Sequence, residues 1–520
     1  MVSEERLSLL QLYAWGWTPK QALSVDLTRW RKKLAIESVE VLYVIGIGDG
    51  AAYFSLAEWL GEDSKRRLVF LEQESGFIAS LLAAKHPLFA DGQVDVEWLF
   101  NLELLSQLAQ RYPVMHIEIS ALPGYRREPY RTQLFHKTTL SAAVCHERRL
   151  GYQTFTNFAR NLTNWKKSFY AHGLKNQFCG QTAIVCGAGP SLEKAIGFLK
   201  ELSDRAIVIA AGSAVAPLAA AGIEPHFVLA IDPNKEESQR FQKAQKINCP
   251  VLTSTRVHYD IFEHCTGPIG HLRMGIGGVV ELWMEEELGL CEPLFGLNLS
   301  MDSISVMPIC LAFAVELGCS TVLLAGVDLA YTRDLRYADG VGVQELADAV
   351  TPNQNSDVIV RRKDKMGHVV ATAVRWLIEK ASLTYFVKRH RGVRWINTTE
   401  GGLSIPGFKQ MELLEALRLY CTNSSNLKEK INRIIADHPM PDPQYKLEEL
   451  KQSLDRMISH LEVLNDCKSG SKALAEFELK EEIASSILFY DIQTLLQQEP
   501  EENRWSFYLD LARKYKLAGQ

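Results

Sequence analysis

Up to residue 408, short apolar runs that end in glycine alternate with longer stretches whose apolar residues recur three and four apart. VEVLYV at Val39 to Val44 is β-branched and of strand length, and GIGDGAAYFSLAEWL follows it as a glycine turn and a helix. A second strand, Arg67 to Leu71, ends in Glu72, an acidic group at a strand tip one strand-helix-strand unit after Gly46, Gly48 and Gly50. This is the arrangement of a Rossmann-type domain, with Glu72 placed for a ribose hydroxyl, and we assign it residues 1–135 with a short helical lead. Residues 136–176, which include FTNFARNLTNWKKSFY, read as a helical connector. The alternation then resumes with strands at 182–186, 206–211, 227–231, 251–254, 321–326 and 393–396, and helices from Ser191, from Ala214, over 302–317 and over 370–388. Strands separated by helices predict a mainly parallel sheet, and this central domain spans 177–408. From Lys409 to the end the strand runs disappear and three-four spacing dominates, predicting a helical domain over 409–520 that HPMPDP at 438–443 divides. The fold class is α/β, with two Rossmann-like domains followed by an all-α domain.

Composition narrows the functional classes. With 47% hydrophobic and 23% charged residues and a formal net charge of -5, the chain has no global attraction for nucleic acid. No apolar run has the length of a membrane span, and the N-terminus lacks the pattern of a secretory signal, so a cytoplasmic protein is expected. The ten cysteines contain no CxxC pair, which argues against a zinc site or a disulfide framework.

Candidate chemistry centres on TAIVCGAGPSLEKAIGFL. Gly187, Ala188 and Gly189 leave the strand, Pro190 is tolerated at a helix start, and Ser191 is a good cap. Exposed amides and the positive helix end suit a phosphate. Gly212 and Ser213 occupy the next strand end, and Asp232 and Asp328 end later strands, where ligands of parallel sheets gather.

In company with AIDP at 230–233, AGVDLAYT at 325–332 and TTEGG at 398–402, the GAGPSL segment resembles the central domain of the motility-associated factor family, a domain shared with archaeal hydroxymethylpterin pyrophosphokinases. The resemblance implies transfer of pseudaminic or legionaminic acid from its cytidine monophosphate (CMP) donor to Ser or Thr of flagellin, with no obligatory cofactor. The chain is more distantly similar to small α/β/α bacterial sialyltransferases, which carry a GxGPSL loop, two tyrosines six apart and a Gly-His followed by Thr. By that likeness Tyr331 and Tyr337 would hold the leaving phosphate and His368, in Gly367-His368 with Thr372, would be the general base. Ala188 stands where those enzymes have Asn, and the asparagine of their next strand end has no counterpart near Gly212 and Ser213, so donor contacts would differ.

Two other readings compete. A pyrophosphokinase acting on a pterin would use Mg2+ held by Asp232 and Asp328. A nonenzymatic adaptor would keep the fold and bind partners through its helical tail. The GIGDG turn at Gly46 to Gly50 has no catalytic set around it, and an accessory role is the simpler expectation for that domain.

Overall fold

The computed structural model describes residues 27–202, 205–274, 279–290, 292–296, 300–341, 358–422, 424–442, 444–466, 472–488 and 504–518. The helical lead expected at the N-terminus lies outside them, as do Cys291 and Cys467. The chain divides into two compact units, Met1–Cys145 and His146–Gln520, with the division inside the expected connector.

Among its described residues the first unit has four parallel strands, β1 (Val41–Ile45), β2 (Arg67–Glu72), β3 (Val94–Trp98) and β4 (Ile117–Ala121), in the order β3-β2-β1-β4. Every residue of β1 is buried, because apolar layers cover both faces: Leu56, Trp59 and Leu60 in one, Leu104, Leu105 and Leu108 in the other. The sequence reading found β1 and β2 and missed β3 and β4, whose VDVEW and IEISA carry carboxylates between their apolar positions.

Among the described residues, the second unit holds eight parallel strands, β5 (Thr182–Cys186), β6 (Ile207–Ala211), β7 (Phe227–Ala230), β8 (Val251–Thr253), β9 (Ile269–His271), β10 (Thr321–Ala325), β13 (Arg394–Asn397) and β14 (Lys409–Gln410), in the order β14-β13-β10-β5-β6-β7-β8-β9. An antiparallel hairpin, β11 (Ile359–Lys363) with β12 (Val369–Ala373), completes it. The helix expected from Val370 therefore begins at Val374. Val369 to Ala373 pair with β11, and the buried Thr372 hydroxyl donates to the Leu329 carbonyl at 2.7 Å. The helix expected over 302–317 is a 3-10 turn at Met301–Ser303 followed by an α-helix at Val306–Glu316.

Residues after 409 do not all leave the sheet. Helix Leu413–Tyr420 buries Leu413, Ala416 and Leu417 against one sheet face, and Leu427–Ala436 buries Leu427, Ile431 and Ile435 against the other. A separate helical core starts with Gln444–Asn465, around Leu454, Met457, Leu461, Leu479 and Trp505, and it also takes in Phe158 and Trp165. None of the described helices is long and apolar enough to cross a membrane.

Candidate functional site

The strand order reverses between β5 and β10. Chain from β5 runs outward through β6 to β9, then returns to β10 on the other side, and parallel sheets gather ligands beyond the carboxyl ends of the strands at such a reversal. GAGPSL and AGVDLAYT meet there. The Gly187 amide donates to the Ala325 carbonyl at 2.9 Å and the Gly189 amide to Gly326 at 2.8 Å.

These glycines are required by the chain itself. A Cβ at Gly187 would lie 2.7 Å from the Gly326 carbonyl oxygen, and one at Gly189 would overlap the Asp328 carboxylate. Asp328 is 2% exposed. Its Oδ2 accepts from the Ser191 hydroxyl at 2.6 Å and its Oδ1 from the Thr332 hydroxyl at 2.6 Å. Burial pushes this carboxyl above its ordinary range, opposed by those hydroxyls and by the charge of Lys365. Ser191 is thus spent on Asp328 rather than capping the helix Leu192–Leu199; its backbone is already helical. Asp328 thereby pins the two loops together. Pro190 is buried, and its carbonyl accepts from Arg333 at 3.4 Å; Arg333 also pairs with Glu193 at 2.7 Å.

A second group gathers one strand along. Gly212 follows β6, opening the short turn that leads to helix Val215–Ala220, and Ser213 beside it is half-buried. A Cβ on Gly212 would overlap Oε1 of Glu237. Oε2 of Glu237 accepts from Arg240 at 2.8 Å, and Asp232, 49% exposed beyond the end of β7, lies 3.7 Å from the same guanidinium. Burial, and then the neighbouring Asp232, push Glu237 up to about 7 against the pull of Arg240. Glu379 is also pushed up to about 7 by burial, opposed by the Ser305 hydroxyl it accepts from and reinforced by Asp232.

The loop after β10 covers the glycine turn. Three of its non-glycine residues, Leu329, Arg333 and Asp334, have φ of 51°, 58° and 59°, left-handed conformations that side chains seldom adopt, held here by the surrounding contacts. The Ala338 amide donates to the Ala188 carbonyl at 2.8 Å, which sets Tyr337 beside the glycine turn. Tyr337 is half-buried, with Arg336 5.0 Å from its ring centre. The tyrosines expected to act together are separated in environment. Tyr331 is 2% exposed, its amide bonded to Ala371 and its ring 5.0 Å from Trp376, so its hydroxyl is enclosed by the hairpin layer.

His368 sits at the hairpin turn, 78% exposed, with Nδ1 3.5 Å from the Asp364 carboxylate. The turn docks beyond the end of β13, where Lys365 donates to the Thr399 carbonyl and its amide to Gly402. Thr372 is at the other end of β12 from His368, buried and structural.

Sequence reasoning overlooked Glu237, Arg240, Asn157 and Asn161. The buried Asn157 amide donates to the carbonyls of Pro233 and Arg256 at 2.8 and 2.9 Å, and Asn161 to those of Thr255 and Val257 at 2.9 and 2.7 Å. They tie helix Gly151–Asn161 across the loops after β7 and β8, so the segment read as a connector is one wall of the site. Two amides four apart, on one helical face among Phe and Leu, were the available signal. Among the described residues no group of three His, Cys, Asp or Glu side chains could hold a metal ion.

The glycine motif of the first unit is closed by its own side chains. Glu72 is fully buried, accepting from the Ile47 amide, the Glu74 amide and the Tyr125 hydroxyl, each at 2.8 Å. The Tyr125 ring fills the space a Cβ would need at Gly46 (φ 91°), and His86 does the same at Gly50 (φ 80°). Glu72 therefore braces the turn instead of offering itself to a ribose.

Residues 156–334 match the model of a family described as 6-hydroxymethylpterin diphosphokinase MptE-like. No curated protein matches the chain. Among solved structures, the chain is similar to the MAf glycosyltransferase from Magnetospirillum magneticum AMB-1, at 13% identity and a TM-score of 0.50, over 100% of this chain and 87% of that one. The chain thus has the α/β fold of that glycosyltransferase structure, and its central segment is similar to the MptE-like family.

Proposed function

We propose that the protein is a cytoplasmic glycosyltransferase that moves a nonulosonic acid, of pseudaminic or legionaminic type, from a CMP donor to Ser or Thr of flagellin or a similar protein. The observation that carries this reading is the reversal of strand order between β5 and β10, where a glycine turn braced by Asp328 adjoins Tyr337, in a chain with the fold of a MAf glycosyltransferase structure. The turn residues 187–191, with Gly212, Ser213 and Asp232, line the donor's nucleotide. Tyr337 donates to the departing phosphate. His368, its ring beside Asp364, takes the proton of the acceptor hydroxyl.

The family match over 156–334 favours a second reading, pyrophosphoryl transfer to a pterin with Mg2+. The donor set fits it less well: Asp328 is buried, and among the described residues no group of three His, Cys, Asp or Glu side chains could hold a metal ion. Calorimetry of CMP and of ATP, each with and without Mg2+, separates the two. The sugar-transfer reading expects metal-independent CMP binding that Ser213→Trp abolishes and, with CMP-nonulosonic acid and flagellin, a glycosylated product by mass spectrometry. Tighter binding of ATP with Mg2+ and no CMP binding would replace it with the second.

A further inference from the structure

The hairpin of β11 and β12 has one edge covered and one bare. The Asp364 amide donates to the His368 carbonyl at 2.8 Å and the Val374 amide to the Val358 carbonyl at 2.9 Å, which fixes the bonded pairs at the two ends of the ladder. Bonded and non-bonded pairs alternate in an antiparallel ladder, so the backbone groups of Ile359, Arg361 and Lys363 point away from β12. The same alternation turns Ala371 outward on the opposite edge, where its carbonyl accepts from the Tyr331 amide at 2.9 Å. Among the described residues no backbone group pairs with the outer edge of β11. The Arg361 carbonyl accepts from the Arg362 side chain at 2.9 Å and keeps a second lone pair.

This edge is basic. Arg361 and Lys363 are exposed, and among the described residues no carboxylate pairs with Arg361, Arg362 or Lys363. Asp364, in the turn, lies 3.5 Å from His368 instead. Lys380, on helix Val374–Arg389, is held below its ordinary range by burial and then by the charge of Arg362. An open strand edge recruits other strands through its main chain, and cations along it turn away basic strands while favouring acidic ones.

We propose that β11 is a docking edge for an extended acidic segment of the acceptor protein, which adds as a third strand with Asp or Glu beside Arg361 and Lys363. This deepens the sugar-transfer reading and rests on it for the partner being the acceptor. β11 runs into the turn that carries His368, so a segment seated on this edge leads to the candidate base. Main-chain pairing sets its register, and the acidic side chains select it.

The test titrates the full chain with a fluorescent synthetic peptide of alternating Glu and Thr, read by anisotropy at low salt. Its controls are the same peptide N-methylated throughout, which keeps the charges and loses every donor, and a peptide with Lys for each Glu. The edge predicts binding of the acidic peptide alone, with slower hydrogen exchange at the amides of Ile359, Arg361 and Lys363 in the complex. Arg361→Glu combined with Lys363→Glu, checked for fold by circular dichroism, is expected to weaken that binding at least about tenfold. If this variant fails to fold, the methylated peptide and the exchange pattern still decide. No binding by the wild type, equal binding of the methylated peptide, or outer amides already protected in the free chain by its own residues or a second copy would overturn the docking edge while leaving sugar transfer standing. The expected peptide binding by a chain that transfers no sugar to flagellin would keep the edge and remove the sugar-transfer reading.

Discussion

Glycine in a strand-to-helix turn reads as space kept for a ligand, yet at Gly189 and Gly212 the space is taken by the carboxylates of Asp328 and Glu237, and at Gly46 by a tyrosine ring. The sequence shows where the backbone must be bare and is silent on what approaches it, because the neighbour comes from a distant residue. Asp328→Ala deprives the Ser191 and Thr332 hydroxyls of their acceptor and is expected to cost about 2 to 4 kcal/mol, with loss of CMP binding, whereas Asp328→Asn retains part of both bonds. Melting curves and titrations of the two variants check this. Glu379 carries a pH effect. Its folded pKa, raised to about 7 from the 4.5 of an unperturbed glutamate, means that its protonated form stabilises the fold below that lower value and that this contribution drains away as pH rises through 7. Glu379→Gln should therefore match the wild type near pH 4.5 and exceed it by about 1 to 2 kcal/mol above pH 7.5, seen as a Tm difference that widens with pH.

Among the elements, β5, β6 and β10 were legible within a residue of their ends because continuous apolar runs closed by glycine have few other uses in a parallel sheet. The hairpin was not. Val369 to Ala373 run straight into the apolar start of helix Val374–Arg389, and periodicity cannot mark where a short strand stops and a helix begins without a turn residue between them. The wall made by Asn157 and Asn161 was equally hidden, since an amide reveals its importance only through the carbonyls it meets. Asn161→Leu leaves the Thr255 and Val257 carbonyls without this donor, and a loss of about 1 to 3 kcal/mol is expected, together with faster hydrogen exchange in residues 254–258.

At the scale of the molecule, alternation of strand and helix disclosed two α/β sheets, but the place of the chain's division came from packing. The helices at Leu413–Tyr420 and Leu427–Ala436 have the spacing of any amphipathic helix, and nothing in that spacing says that their partner is a sheet. The candidate site lies wholly within His146–Gln520. That fragment, expressed alone, is expected to bind CMP with the affinity of the full chain; a loss of more than about tenfold with retained helicity would show that the first unit contributes to binding.

The clamp between Ser191 and Asp328 joins residues 137 apart. A ribosome adding about 5 to 20 residues per second leaves the glycine strand without that neighbour for roughly 7 to 27 seconds after it is made. For that interval one apolar flank of β5 has only nascent chain or a chaperone to cover it. Translation tempo thus becomes a determinant of yield: slow synonymous codons between positions 192 and 320 should increase the aggregated fraction while leaving the purified protein unchanged.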